Sequence, residues 1–274
     1  MSESEVKRVV VACDAHGSME IAAREAAVLA ARWRVPLHGV FLRDENLLRL
    51  TALPLSRYVS LSTFQPSNAL AANELQSLLA ALAAGMRRAI EAAATQEGID
   101  WSFAELRDLP SAASAALAEG DILMLDAGMR ALSGPWQPRS PWENAASELG
   151  GVVLLRRNAG RGRPCIALIL DGSSGDHERT LAATRGLAGP RDRLHALLLG
   201  GNGAPAREAL SRQLERAHLA NVSVERCADL AGLRHSLAEL NPGLVAIETT
   251  ALERAQLRAL VADTRCDLLL VGKA

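Results

Sequence analysis

Two stretches decide the fold: VKRVVVACD at 6–14 and RPCIALILD at 163–171. Each is a nearly continuous apolar run closing on an aspartate, with the length of a strand covered on both faces. Small and polar residues follow each run, Ala15-His16-Gly17-Ser18 and Gly172-Ser173-Ser174-Gly175. Helical periodicity comes next, near 18–33 and 175–188, and then a second strand, PLHGVFL at 36–42 and RLHALLL at 193–199. Asp14 and Asp171 lie 157 positions apart, and so do His38 and His195. An offset held over that span reads as an internal duplication.

Working outward, the later elements keep one order. The first half continues with a long Ala/Leu-rich helix near 69–97 and a strand at 101–106. A short helix at 110–118, a strand at 121–126, a helix near 141–149 and a closing strand at 151–155 complete it. The second half continues with helix 204–219, strand 222–226, helix 229–240, strand 243–248, helix 251–262 and strand 267–271. Strands alternating with helices predict an α/β fold, two tandem doubly wound units of five parallel strands, the second smaller. The expected domains are 1–157 and 162–274, joined by the basic, glycine-containing connector RRNAGRGR at 156–163. The second half is shorter by about 35 residues between its second and fourth strands. The matching first-half segment, an insertion at 44–68, is apolar for a loop, with Leu47, Leu48, Leu50, Leu53, Leu55, Tyr58, Val59 and Phe64. It reads either as a flap packed on the sheet edge or as a lid or partner surface.

Composition narrows the function. Of the 274 residues, 49% are hydrophobic and 22% charged, and the formal net charge is −1, so the chain can bury a core and carries no basic excess for nucleic acid. Lys7 and Lys273 are the only lysines. Cys13, Cys165, Cys227 and Cys266 have no metal-binding or redox spacing and read as reduced core residues in a cytoplasmic protein. The polar N-terminus lacks a signal core, and no apolar run is long enough to cross a membrane.

In doubly wound sheets ligands bind beyond the carboxyl ends of the strands. In the first half those ends offer Cys13-Asp14-Ala15, Val40–Leu42 and Asp126-Ala127-Gly128. Asp14 can accept from a ribose hydroxyl or cap the next helix; both readings stand. A phosphate cradle needs glycines after the fourth strand. The segment from Gly128 to Ser140 has Gly128, Gly134, Ser133, Arg130 and Arg139. It is also interrupted by Pro135 and Pro138, followed by Pro141 and flanked by Trp136 and Trp142. Proline supplies no N–H and stiffens such a loop. In the second half Glu248 ends the fourth strand and places a negative charge where a phosphate would go, so no nucleotide is expected there unless an arginine or a metal intervenes.

The order of elements resembles the universal stress protein family in tandem two-domain form. The stretches that carry the likeness are VVVACDAHGSMEIAAREAAVLAARWRVPLHGVFL and DILMLDAGMRALSG in the first half, and RPCIALILDGSS, RLHALLLGG and CDLLLVGKA in the second. The resemblance implies a stress-response or regulatory binding protein; a module without chemistry of its own is the favoured reading, and whether it is an enzyme stays open. It also implies a fold that usually dimerises, with members divided into ATP binders and non-binders. The binders carry Gly-x2-Gly-x9-Gly-Ser/Thr after the fourth strand and an Asp after the first. Asp14 matches that Asp and Gly128 the first glycine, whereas Ala131 stands at the second glycine and Arg139-Ser140 at the last step. The candidate first-half ATP site is therefore Asp14, Ala15, Val40, Asp126, Gly128, Arg130, Arg139 and Ser140, degraded relative to the binders. The alternative function is an ATP–Mg²⁺ binder or weak ATPase using that site. In the second half only Asp171 survives, which resembles a non-binder. Fusion would turn the family's dimer contact into an internal pseudo-dimer through the closing strands; whether the chain dimerises further, through 44–68 or the Trp136/Trp142 face, stays open.

No residues are assigned to catalysis. His38 and His195 occupy matched strand positions, which favours a structural role, and His16 reads as a helix-start residue. Gly200-Gly201-Asn202-Gly203 lacks the Lys-Ser/Thr of a phosphate loop and reads as a turn. No metal site, nucleic-acid partner or membrane insertion is expected, and the protein partner is not specified.

Overall fold

A computed structural model describes residues 6–13, 19–43, 58–59, 66–67, 72–106, 118, 120–126, 151–157, 163–174, 177–189, 191–200, 204–217, 219 and 222–272. Twelve strands and six helices fall within them: β1 (Arg8–Cys13), α1 (Met19–Trp33), β2 (Leu37–Leu42), β3 (Tyr58–Val59), β4 (Pro66–Ser67), α2 (Ala72–Glu97), β5 (Trp101–Leu106), β6 (Asp121–Asp126), β7 (Val152–Arg156), β8 (Arg163–Asp171), α3 (Glu178–Leu187), β9 (Arg193–Leu199), α4 (Ala204–Arg216), β10 (Val222–Cys227), α5 (Leu230–Leu240), β11 (Pro242–Glu248), α6 (Arg254–Asp263) and β12 (Asp267–Val271). The expected short helices at 110–118 (all but its last residue) and 141–149, the connector's centre and the Trp136/Trp142 face lie outside the described residues.

The chain divides into two compact units. One comprises Met1–Arg8, Leu117–Ala127 and Trp142–Ala274, and the other Val9–Ala116 and Gly128–Pro141. In the larger unit the strand order is β10-β9-β8-β11-β12-β7-β6. The five second-half strands, β8 to β12, are parallel throughout, and their spatial order is third, second, first, fourth, fifth. This is the doubly wound order, and chain direction across the sheet reverses between β8 and β11. Continuous burial explains the apolar run that marks β8: Cys165 to Leu170 are all buried. Helix α3 packs on β11 and β12, and α5 packs on β8, β9 and β10. Asp229 caps α5, its carboxylate accepting the Gly232 N–H at 2.8 Å, and Asn241 ends the helix in the left-handed region before Pro242.

The two closing strands are hydrogen-bonded neighbours. Strand β7 runs antiparallel to β12, with Leu155 opposite Leu268 and Val152 opposite Val271, and parallel to β6 on its other side. These facing Leu and Val residues are buried. At about 1.5–3 kcal/mol for each large apolar side chain fully withdrawn from water, the pairing is a substantial part of this unit's core. By sequence β6 and β7 belong to the first half, while by contact they belong with the second.

In the smaller unit β1, β2 and β5 are parallel, with β2 between the other two. Helix α1 buries Ala23, Ala26, Ala27 and Ala30, a helical stripe of small side chains, against α2, which buries Leu75, Leu79, Ala83, Met86 and Ile90. Gly39 in β2 lets α2 come close: a Cβ there would stand 2.8 Å from Ile90 Cγ1. Within the insertion at 44–68, β3 and β4 pair antiparallel, Tyr58 opposite Ser67.

Candidate functional site

The reversal point between β8 and β11 carries a cleft of about 420 Å³, lined by residues from the carboxyl ends of β8, β11 and β12 and the start of α3. Asp171 ends β8 and Glu248 ends β11, so strand register alone sets their two carboxylates on one edge. After β8 the chain turns sharply. Gly172 N–H donates to Leu199 O at 2.9 Å, and a Cβ on Gly172 would meet Gly200 O at 2.5 Å. Glycine is required there because two backbones touch. The turn brings Ser173 back over Asp171, whose Oδ1 accepts the Ser173 N–H at 2.9 Å and its hydroxyl at 2.6 Å.

His177 opens α3. Its main-chain N–H donates to Gln213 Oε1 at 3.1 Å, and its ring Nδ1 lies 2.8 Å from Glu248 Oε1. The other Glu248 oxygen accepts the Asp171 N–H at 3.0 Å. His177 is 3% exposed and Glu248 7%. A carboxylate this buried survives by being hydrogen-bonded on both oxygens, and the amino end of α3 adds a favourable dipole. Arg179 also lines the cleft and donates through Nη1 to Gly272 O at 3.1 Å. Among the described residues no group of three or more His, Cys, Asp and Glu is placed to hold a metal ion.

Most of the first-half candidate site lies outside the described residues. Asp14, Ala15, Gly128, Arg130, Arg139 and Ser140 lie outside the described residues, and only the backbone of Asp126 is described, at the end of β6. Val40 is buried in β2. In the second half, Asp171 and Glu248 stand at the strand ends where the sequence puts them. His177 and Arg179 were not predicted as site residues. They stand 71 and 69 positions before Glu248, and no local spacing links them to it; the one usable signal was the fold-level rule that strand ends and the following helix start converge.

The matched histidines resolve as a repeated cross-strand pair. His38 on β2 faces Ser102 on β5, with Nδ1 2.7 Å from Oγ. His195 on β9 faces Ser223 on β10 in the same register, at 2.6 Å. Their place within the sheets, away from the strand-end cleft, agrees with the structural role read from their matched positions.

No family model matches the sequence, and no curated protein matches it. Solved structures do. A chain described as a universal stress protein from Pseudomonas aeruginosa UCBPP-PA14 superposes with a TM-score of 0.56 at 14% identity, covering 98% of this chain and 94% of that one. A functionally unknown protein from Pseudomonas aeruginosa PAO1 gives 0.55 at 14%, with the same coverage. A universal stress protein from Archaeoglobus fulgidus DSM 4304 gives 0.64 at 10%, covering 99% and 98%. At these identities the likeness is one of fold: over nearly its whole length the chain has the α/β fold of universal stress protein structures. Among the described residues no helix is long and apolar enough to cross a membrane.

Proposed function

We propose that this protein is a stress-response or regulatory binding module of the universal stress protein type, without chemistry of its own, whose second half does not hold a nucleoside triphosphate. In this reading its halves, 1–157 and 162–274, form an internal pseudo-dimer. One observation carries the exclusion of triphosphate. Glu248 occupies the carboxyl end of β11, buried, held by His177 and by the Asp171 N–H. A triphosphate entering this cleft would meet two carboxylates. At about 4 Å and an effective dielectric near 20, each unit of like charge costs about 4 kcal/mol. Arg179 also lines the cleft and donates through Nη1 to the Gly272 carbonyl, but its single positive charge offsets only one of the two carboxylates. The pairing of β7 with β12 supports the pseudo-dimer, because it joins the last strand of each half.

Titration with ATP and Mg²⁺, followed by thermal unfolding, tests this reading. No shift of the midpoint is expected at millimolar ATP. A shift abolished by Asp14→Ala would support the alternative, an ATP binder or weak ATPase using the first-half residues. A shift that survives Asp14→Ala would place nucleotide in the second half and overturn the proposal.

A further inference from the structure

We propose that the outer face of α2 is a self-association surface, on which a second copy of this chain packs antiparallel through the same helix.

Three large apolar side chains stay exposed among the described residues: Ile21 and Val28 on α1, at 47% and 43%, and Leu78 on α2, at 53%. All three sit on the two helices that pack together in the smaller unit, and the larger unit exposes none among its described residues. Single exposed apolar residues are ordinary, but their confinement to one helical layer marks a surface that gains from being covered. On α2, residues 74, 78, 81, 85, 88 and 92 follow one another by four and three positions, so they share one side of the helix. That side reads Glu74, Leu78, Ala81, Gly85, Arg88 and Ala92, and it is exposed apart from the half-buried Gly85. The buried side of the same helix carries Leu79, Met86 and Ile90.

Gly85 is an independent observation. Glycine weakens a helix interior relative to alanine. Gly39 has a reason within the chain, the close approach of Ile90, whereas a Cβ on Gly85 would find nothing nearer than Arg88 Nη2 at 4.0 Å. The space it leaves lies on the outward side, where a second helix can come close.

Charge names the occupant. Glu74 and Arg88 are exposed, and each lies seven positions from Ala81. Among the described residues neither forms an ion pair within the chain. An antiparallel copy centred on Ala81 sets Glu74 level with Arg88 of the partner subunit at both ends, about 10 Å from the centre. A parallel copy would oppose like charges. Exposed pairs add little affinity but fix orientation, while Leu78 and its apolar neighbours supply the burial. The two-fold arrangement closes on itself and ends at a dimer.

The test is sedimentation equilibrium of the full chain from about 1 to 200 μM, with circular dichroism confirming the fold of each variant. A dimer is expected to dominate by about 100 μM. Leu78→Glu and Gly85→Leu should each raise the dimer Kd at least about tenfold. Gly85→Leu should leave the unfolding midpoint of the dilute chain no lower, because leucine favours helix. Glu74→Arg and Arg88→Glu should each weaken the dimer about three- to tenfold, and the double exchange should restore it to within about threefold. These exchanges replace exposed side chains and report even where Leu78→Glu or Gly85→Leu fails to fold. A chain still monomeric at about 200 μM, a dimer indifferent to Leu78→Glu and Gly85→Leu, or a double exchange as weak as the singles would overturn the inference.

Discussion

Nδ1 of His177 lies 2.8 Å from Oε1 of Glu248, although 71 positions separate the two residues in the chain. Both are buried, and Glu248 also holds the Asp171 N–H, so one carboxylate ties the end of β8 to the start of α3. Removing it leaves a ring nitrogen and a main-chain donor without their acceptor. Glu248→Ala is expected to cost about 3–5 kcal/mol in urea unfolding. Glu248→Gln retains an acceptor oxygen and should cost about 1–3 kcal/mol. An Ala variant as stable as the wild type would show that the pair does not secure this edge.

The His38–Ser102 and His195–Ser223 pairs occupy the same register position in each half. Ser102→Ala and Ser223→Ala should each cost about 0.5–1 kcal/mol, the ordinary worth of a partly exposed hydrogen bond. The double variant should lose their sum within about 0.5 kcal/mol. Strong coupling in a double-mutant cycle would contradict the picture of two independent copies of one sheet contact.

Gly172 touches Gly200 through backbone alone. A methyl group there must displace a carbonyl, so Gly172→Ala should destabilise by about 1–3 kcal/mol and disturb the turn that carries Ser173. Gly200 itself has φ of +72°, so a side chain there is strained as well. Unfolding midpoints of the two single variants check this directly.

The fold was legible because strands covered on both faces leave long apolar runs. RPCIALILD at 163–171 and RLHALLL at 193–199 become β8 and β9 with the expected bounds. Helix ends were less legible: the helix expected over 251–262 runs Arg254–Asp263, because Glu253 N–H bonds to Gln256 Oε1 and so sets the start locally. Strands β3 and β4, two residues each, carry no periodicity to read. Glu248 announced itself as a charge at a strand end. His177 did not, because its role depends on a partner supplied by another strand. The assignments of Asp14, Gly128, Arg130, Arg139 and Ser140 remain proposals of the sequence.

Burial pushes the Cys266 thiol up to about 11 from its usual range. A rise of about two units lowers the thiolate fraction at pH 8 about 100-fold. Iodoacetamide should therefore label Cys266 far more slowly than a free thiol, with the rate still climbing between pH 9 and pH 11. Cys13, Cys165 and Cys227 are buried and should stay unlabelled until urea unfolds the chain. Rapid labelling of Cys266 at pH 8 in the folded protein would contradict its placement beside β12.

The exclusion of triphosphate from the second half is tested most directly by determining the structure in the presence of millimolar ATP and Mg²⁺. The predicted result is a cleft in which Glu248 keeps His177 and the Asp171 N–H, with no phosphate against them. An ordered triphosphate within hydrogen-bonding distance of His177 or Glu248 would contradict it.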